Sequence, residues 1–190
     1  MSTSLSALSQ GSGGSFQPDT LNLDLSTREP GSADASQQFL RFSVGHDTAL
    51  LPLEQITEIL QINVMTILPV PETSSCVWGV CNWQGKLLWL VDLDALLGYS
   101  PQLQQEPFFQ QEPIVLMVMV VQLNQQTLGL GVQQVGDIEF HPLQKLQPPT
   151  PGLFPPKLQP FVLGALPECK GAVLNVTAIV QCPLWQTYPG

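Results

Sequence analysis

Two pairs of similar segments, spaced almost equally along the chain, indicate that its two halves are copies of one module. Residues 53–59 match residues 132–138 at every apolar position, and both segments carry an acid at the same place. Residues 91–97 match residues 174–180 in the same order, at a spacing of 83 instead of 79 positions. Because each copy spans only about 60–70 residues, it is small for an independent core, and the copies are expected to pack together.

Each copy is predicted to contain two β-hairpins. In the first copy, segments rich in apolar residues over 39–44 and 49–53 flank a Gly-His-Asp turn, and residues 78–91 contain two strands around a tight turn at Gln84–Gly85. The second copy repeats this pattern, with paired strands predicted over residues 114–123 and 127–132, and over 161–166 and 172–174. The repeated hairpins predict a mainly β protein.

A short capped helix is predicted at the end of each copy. Asp92 precedes an apolar segment over residues 93–97 that ends at Gly98, and Asn175 precedes a similar segment over residues 176–181. Asp and Asn are favoured N-caps because their side-chain oxygens accept hydrogen bonds from the free N–H groups of the first turn. Glycine is favoured where a helix ends in a left-handed conformation.

The segments between the hairpins have less regular patterns. The apolar spacing within residues 53–60 predicts a helical turn, and the matching residues 132–138 predict a similar acidic, apolar turn. Residues 62–68 are β-branched and predict a strand, after which Thr73 is a candidate cap for a short helix through residue 77. Residues 142–160 hold seven prolines and predict a stiff loop without regular structure.

The composition excludes several classes of function. Fifteen acids against six bases give a net charge of −9, which is unsuited to nucleic acid or an anionic membrane surface. The longest apolar run, residues 114–121, is far shorter than the ~20 residues that a membrane-spanning helix needs. The N-terminus lacks the basic and apolar regions of a secretory signal, which predicts a cytoplasmic protein with reduced cysteines.

The two ends of the chain are predicted to lie outside the folded region. Its first residues are rich in Ser and Gly and poor in apolar side chains, which is typical of disorder. Within them, residues 21–25 alternate leucine with polar residues and are a candidate docking segment, while residues 99–112 read as a linker between the copies. The predicted units are a disordered acidic tail over 1–38, a folded region over 39–182 with halves 39–98 and 113–182, and a C-terminal tail over 183–190.

No group of catalytic or metal-binding residues has a recognisable spacing. His46 and His141 are each predicted in solvent-facing turns, and the four cysteines lack the paired close ligands of a zinc site, which favours small buried side chains. Asp92 and Asp94 form a close acidic pair, but helix capping and the helix dipole explain both. No cofactor is predicted, and this favours a binding protein over an enzyme.

Apolar side chains are available for a partner. Trp78, Trp83 and Trp89 lie within twelve residues, and Trp83, beside the predicted turn, is the best candidate for exposure. Residues 67–70 extend an apolar stretch beyond a predicted strand. Tryptophan is enriched at interface anchors, although a core position is an equally good interpretation.

Five motifs follow one another in the first copy, in this order: FLRFSVG (39–45), ITEI (56–59), ILPVP (67–71), GVCNWQG (79–85) and LVDL (90–93). Together they resemble the strands and signature segments of the CheW family, the adaptors of bacterial chemosensory arrays. The second copy fits as well, through residues 163–165, so the resemblance covers residues 39–182.

The resemblance implies a mainly β fold of two intertwined, five-stranded SH3-like β-barrels with short helices. It also implies a non-catalytic adaptor in chemotaxis, phototaxis or pilus-driven movement, cytoplasmic and recruited to membrane receptor arrays. Its partners would be the regulatory domain of a CheA-type histidine kinase and the cytoplasmic helical tip of a methyl-accepting chemoreceptor. No cofactor, nucleic acid or membrane insertion is implied.

The same resemblance suggests a partner-binding site in the first copy. The signature positions near the receptor-facing region are Glu58, Asn82, Gln84 and Gly85, and their apolar neighbours are Ile56, Ile59 and Ile67. The family usually has Arg where this chain has Gln84, and Gln lacks the charge and the five donors of a guanidinium. Partner choice differs in that case, or Lys86 supplies part of the missing contact.

Two other functions stay open at this level. The Gln84 departure and the acidic tail are compatible with an inhibitory or decoy module that binds the kinase without coupling it to a receptor. A small β-barrel enzyme that uses Asp92 and a cysteine is a more distant alternative. Resemblance at the level of the fold does not by itself decide among these functions.

Overall fold

The structure, a computed structural model, describes residues 36–104, 114–149, 152, 154–167 and 171–184. This part of the chain forms ten β-strands and two five-residue α-helices. The strands are β1 (Ser36–Val44), β2 (Asp47–Pro52), β3 (Ile56–Asn63), β4 (Val77–Trp83), β5 (Lys86–Asp92), β6 (Val115–Leu123), β7 (Gln126–Val132), β8 (Val135–Pro142), β9 (Val162–Ala165) and β10 (Ala172–Leu174). The helices are α1 (Leu93–Leu97) and α2 (Val176–Val180).

The strands form two five-stranded sheets, and each sheet combines strands from both copies. Sheet 1 has the order β8-β1-β2-β10-β9, and sheet 2 has the order β3-β6-β7-β5-β4. Strands β1 to β5 of the first copy correspond to strands β6 to β10 of the second copy. When each strand is replaced by its counterpart in the other copy, the order of sheet 1 becomes the order of sheet 2. The duplication predicted from the sequence is therefore confirmed, and the two copies are intertwined.

Each sheet curls until its two edges meet. In sheet 2, the segment after β3 joins β4, because Leu68 and Val80 exchange both backbone hydrogen bonds at 2.8 and 2.9 Å. In sheet 1, the segment after β8 joins β9 in the same way, through Gln147 and Ala165 at 2.9 and 2.8 Å. Joining the edges satisfies backbone groups that an open sheet would leave exposed.

The core has a part that both sheets share and a part that belongs to each sheet. The shared cluster lies against both helices and includes Leu40, Met119 and Ile179. A second cluster belongs to sheet 2 and is made of Leu60, Ile62, Cys81, Leu88, Leu90, Val118 and Val120. A smaller third cluster belongs to sheet 1 and is made of Phe39, Leu50, Leu166 and Val173.

Strand β6 shows why the sequence contains an uninterrupted apolar run. Val118 and Val120 pack in the sheet 2 cluster, whereas Met119 and Val121 pack in the shared cluster. Both faces of the strand are buried, so the usual alternation of apolar and polar residues is absent. The prediction of a buried strand over residues 114–123 is confirmed.

The predicted helix caps are also confirmed. The Asp92 side chain accepts a hydrogen bond from Ala95 N at 3.1 Å, and α1 ends at Gly98, whose φ is 95°. In the second copy, Asn175 accepts a hydrogen bond from Ala178 N at 3.2 Å, and α2 follows. Equivalent positions therefore perform the same task with a carboxylate in one copy and an amide in the other.

The prediction of a helical turn over residues 53–60 is wrong for residues 56–60, which belong to a strand. Only Leu53–Gln55 forms a 3₁₀ turn, and the chain then enters β3. The matching segment of the second copy is likewise a strand, β8, and not a turn. Ile59 packs in the shared cluster and its neighbour Leu60 in the sheet 2 cluster. A strand buried on both faces can imitate the apolar spacing of a helix, which explains the error.

Three further expectations need correction. The strand predicted over residues 62–68 is interrupted by a 3₁₀ turn at Val64–Thr66, where the Asn63 side chain accepts a hydrogen bond from Met65 N at 2.9 Å. No helix follows Thr73, whose hydroxyl donates to Val70 O at 2.9 Å within a turn, and β4 begins at Val77. The proline-rich segment 142–160 contains a 3₁₀ turn at Leu143–Lys145, the start of another at Gln159–Phe161, and the bridge at Gln147.

Several predicted segments lie partly or wholly outside the described residues. Strand β1 begins at Ser36, three residues before the predicted start of the folded region at residue 39, and residues 1–35 lie outside the described residues. The predicted linker includes a 3₁₀ turn at Gln102–Gln104, whereas residues 105–113 are outside. Residues 185–190 of the C-terminal tail are outside as well, as is Cys169.

Candidate partner-binding face

The hairpin between β4 and β5 carries four of the predicted site residues. Trp83 pairs with Lys86, and the two residues between them have positive φ values, 50° at Gln84 and 77° at Gly85. This is the two-residue turn that matches the twist of paired strands. The Asn82 side chain accepts a hydrogen bond from Gly85 N at 3.0 Å. Asn82 and Gly85 therefore shape the turn, which presents Gln84 and Lys86 to solvent.

Glu58 connects this hairpin to the opposite edge of sheet 2. Its Oε2 atom accepts a hydrogen bond from Trp83 Nε1 at 2.8 Å and a longer one from Gln84 Nε2 at 3.4 Å. Glu58 lies on β3 and Trp83 on β4, the two edge strands that meet where the sheet closes. The structure thus brings Glu58, Gln84 and the turn together, with Trp83 as the connecting residue.

The three predicted isoleucines support this face from below. Ile59 is 7% exposed and belongs to the shared core cluster, and Ile56 packs against the same cluster. Ile67 packs against the sheet 2 cluster. The three isoleucines therefore contribute to the core beneath this face and are not its outer contact surface.

Two exposed apolar residues near the hairpin and edge were missed in the sequence. Leu87 is 73% exposed, on the strand that follows the turn, and Met65 is 83% exposed in the 3₁₀ turn after β3. Residues 87–91 are all apolar, so their pattern does not distinguish Leu87 from its buried neighbours Leu88 and Leu90. Leu87 instead lies where the hairpin extends beyond the packed core, so its exposure depends on tertiary structure and not on local pattern.

An open groove of about 340 Å³ lies between this hairpin and the turn that joins β6 to β7. It is lined by Trp83, Lys86, Leu87, Gln122, Asn124, Gln125 and Thr127. Lys86 is the only charged residue of the lining, and it has no ion-pair partner among the described residues. The groove therefore offers an aromatic ring, an exposed leucine and one cation in a surface of neutral amides.

Comparisons with known proteins agree with this architecture. The profile of the CheW-like domain matches residues 38–181, about three quarters of the chain. The chain belongs to the CheW-like domain family. The prediction of this family and of its two-barrel fold is therefore confirmed. No curated protein matches the sequence.

A solved member of the CheW group has the same fold. The crystal structure of the scaffolding protein TtCheW from Thermoanaerobacter tengcongensis matches with a TM-score of 0.59 and 19% sequence identity. The match covers 74% of this chain and 89% of that one. Within the described part of this CheW-like chain, no helix is both long and apolar enough to cross a bilayer.

The second copy of the CheW-like domain has a different surface at the equivalent positions. Asp137 replaces Glu58 and is exposed on β8. Nearby, the Arg41 guanidinium donates to Glu139, with Nη2 to Oε2 at 2.9 Å, and His141 Nε2 lies 2.7 Å from the same carboxylate oxygen. The hydrogen bond from Arg41 lowers the pKa of Glu139 to about 2. His141 is thus a half-buried strand residue and not the predicted turn residue, whereas His46 does lie in an exposed turn.

The acidic pair Asp92 and Asp94 is fully buried and already bonded within the chain. The Asp92 carboxylate accepts hydrogen bonds from Ala95 N at 3.1 Å and from Gln102 N at 2.8 Å, and Asp94 accepts one from Gly45 N at 3.0 Å. Burial raises the pKa of both carboxyl groups above their ordinary range. The geometry fits the capping interpretation and gives no access for a substrate.

The described cysteines are buried, as the sequence predicted. Cys76, Cys81 and Cys182 are free thiols in the core. Burial raises the pKa of Cys76 and of Cys81 above the usual thiol range. A raised pKa disfavours the thiolate, which is the nucleophilic form of cysteine. The enzyme alternative, which needs Asp92 and a cysteine, thus gains no support from the described thiols.

Proposed function

We propose that this chain is a non-catalytic adaptor that couples a chemoreceptor to a CheA-type histidine kinase. Membership of the CheW-like domain family supports the general scaffold role. The observation that carries the finer assignment is the hairpin face, in which the Glu58 link holds Trp83 beside exposed Lys86 and Leu87. An aromatic anchor next to an exposed apolar residue is a common arrangement at protein interfaces.

The hairpin face is the proposed contact for the helical tip of the receptor. An amphipathic helix can lay apolar residues against Leu87 and Trp83 while an acidic residue approaches Lys86. A second surface then binds the regulatory domain of the kinase. Coupling follows because an adaptor that binds both proteins together changes the equilibrium between active and inactive kinase arrangements.

The replacement of the usual arginine by Gln84 changes how this contact is made. The Gln84 amide donates weakly to Glu58 and carries no charge, so the cationic part of the contact is assigned to Lys86, two residues further on. Lys86 lies in the groove wall, whereas Gln84 does not line the groove. A receptor for this adaptor would therefore present its acid at a position shifted toward the groove.

The same replacement supports one alternative function. Without the arginine, the chain can act as an inhibitory or decoy module that binds the kinase but not the receptor. The sequence at residue 84 is the specific observation in its favour. The adaptor remains the preferred proposal because the groove offers Trp83, Leu87 and Lys86 as a contact surface beside the changed residue.

Affinity co-purification of the tagged full chain from its native cytoplasm tests these assignments. If the chain is an adaptor recruited to membrane arrays, both a CheA-type kinase and a receptor should be among the proteins recovered. Recovery of the kinase without a receptor supports the decoy function. Recovery of neither protein contradicts both the adaptor and the decoy functions. Lys86→Glu should reduce receptor recovery, and Lys157→Glu, a change at another exposed lysine outside the groove, is the matched control.

A further inference from the structure

The N-terminal segment enters the fold beside the groove. In the first residues of β1, Gln37 Nε2 donates to Glu54 Oε1 at 2.9 Å. Glu54 lies two residues before Ile56, and Ile56 pairs with Val121 near the end of β6. The residue after Val121 is Gln122, which lines the groove. A short path of direct contacts therefore joins the beginning of β1 to the groove wall.

The groove and one part of the N-terminal segment have complementary chemistry. Residues 19–25 read Asp-Thr-Leu-Asn-Leu-Asp-Leu, with two acids and no base. In an extended conformation, alternate side chains point to the same side, so the three leucines share one face. Among the described residues that line the groove, Trp83 and Leu87 supply apolar surfaces and Lys86 supplies the only charge.

The length of the intervening chain permits this contact. Leu25 lies eleven positions before Ser36, where β1 begins. An extended chain covers up to about 3.5 Å per residue, so this stretch reaches about 38 Å. The groove lies within a few residue contacts of Gln37, so the segment reaches it with length to spare.

We propose that residues 19–25 dock in this groove and cover the hairpin face. The leucines contact Trp83 and Leu87, and Asp19, which shares their face of the extended segment, faces Lys86. The segment is tethered, so its effective concentration at the groove is in the millimolar range, and a weak contact suffices for partial occupancy. The regulatory consequence rests on the proposed function: a receptor must displace the segment before it can bind the same face.

Nuclear magnetic resonance spectra of the full chain test the docking itself. The signals of interest are the Trp83 indole N–H and the backbone amides of Lys86 and Leu87. We expect them to shift in the triple variant Leu21→Ser/Leu23→Ser/Leu25→Ser and to stay in place in the control Leu5→Ser/Leu8→Ser. Unchanged signals in the triple variant contradict the proposal. So do shifts that depend on protein concentration, because these assign the groove to a second copy.

A charge exchange tests the orientation of the segment. Lys86→Asp should move the groove signals toward those of the triple variant, and Asp19→Lys added to it should restore them. The matched control is Lys157→Asp, which should have no effect because Lys157 does not line the groove. Failure of the double variant to restore the signals contradicts the assigned contact between Asp19 and Lys86.

Receptor binding then tests the regulatory consequence. A partly occupied groove lowers the apparent affinity of a competing partner by the fraction that is free, so the triple variant should bind about two- to tenfold more tightly. Docking with an unchanged receptor affinity contradicts the regulatory role. Because the spectra are recorded on the isolated chain, failure of docking and failure of the adaptor proposal are distinguished.

Discussion

The two sheets have the same strand order but very different interiors. The repeat makes three positions of sheet 2 equivalent to three positions of sheet 1. In sheet 2 these positions hold only apolar side chains, and in sheet 1 they hold a charged group. The two sets are Leu60, Ile62 and Val120 in sheet 2, and Glu139, His141 and Arg41 in sheet 1. The three apolar residues belong to the sheet 2 cluster, whereas the side chains of the charged group are about a quarter exposed.

This difference indicates that strand pairing, and not a particular interior, maintains the repeated architecture. The equivalent positions keep the same pairing register. Leu60 pairs with Val118 in sheet 2, and its counterpart Glu139 pairs with Phe39, the counterpart of Val118, in sheet 1. The charged group is tolerated because its members satisfy one another and remain in contact with water. The dry interior belongs to the sheet that carries the hairpin face.

The largest expected effect comes from cutting a side chain in the dry interior. Leu60→Ala should lower the free energy of unfolding by about 3 kcal/mol, because it removes buried methyl groups and leaves a cavity. The equivalent change, Glu139→Ala, should cost about 1–2 kcal/mol, since its site is partly hydrated. Urea denaturation measures both values. Equal losses would contradict the contrast between the two interiors.

A second experiment converts one interior into the other. Replacing Arg41, Glu139 and His141 together by Val, Leu and Ile gives sheet 1 the side chains of sheet 2. The triple variant should fold and stay within about 2 kcal/mol of the wild type, because apolar groups often replace an ion cluster without loss. Arg41→Ala alone should cost about 2 kcal/mol, since it leaves Glu139 without its main donor. A triple variant less stable than Arg41→Ala would refute this interpretation.

The helix caps offer a smaller comparison between the copies. Asn175→Ala should cost about 1 kcal/mol, the usual loss for an N-cap. Asp92→Ala should cost about 2 kcal/mol, because Asp92 also accepts from Gln102 N and its loss leaves a second buried donor without a partner. Thermal or urea unfolding of both variants distinguishes them. Equal costs would mean that the bond to Gln102 contributes nothing to stability.

The dependence of stability on pH should be the smallest difference, with opposite signs in the two copies. Burial raises the folded pKa of Asp92 above its ordinary 3.8, so stability should fall as the pH rises from about 4 through that pKa. Arg41 lowers the pKa of Glu139 from 4.5 to about 2, so its contribution is present above pH 4.5 and lost as the pH falls through 2.

Two variants separate these slopes. Asp92→Asn should reduce the loss of stability as the pH rises above about 4, and Glu139→Gln should reduce the loss as the pH falls below 4.5. Asparagine is a suitable replacement because Asn175 caps the equivalent helix. Unfolding curves recorded from pH 2 to 7 give both slopes. A wild-type slope retained in the matching variant would assign it to another group.

Much of the fold was predictable because the repeat and the turn residues act locally. The positions of Asp92, Asn175 and the Gln84–Gly85 turn follow from capping and turn chemistry, which depend on a few neighbouring residues. Strand β3 was misread because Ile59 and Leu60 are buried on opposite faces. That double burial depends on two different packing partners, which no local pattern specifies.

The candidate site was predictable only in part, for a related reason. The family signature indicated Glu58 and Gln84, and the structure brings them together through Trp83. The groove and the exposure of Leu87 arise where the β6–β7 turn lies beside the hairpin, more than thirty residues away in sequence. A contact between distant segments leaves no trace in the spacing of either one.

The most direct test of the account is whether the receptor tip binds the hairpin face of sheet 2. Calorimetric titration would compare the wild type with Leu87→Asp and with the control Leu163→Asp, an exposed leucine in sheet 1. The account predicts that Leu87→Asp weakens receptor binding about tenfold or more, and that Leu163→Asp changes it by less than about twofold. Equal affinities for the wild type and Leu87→Asp would contradict the assignment of this face to the receptor.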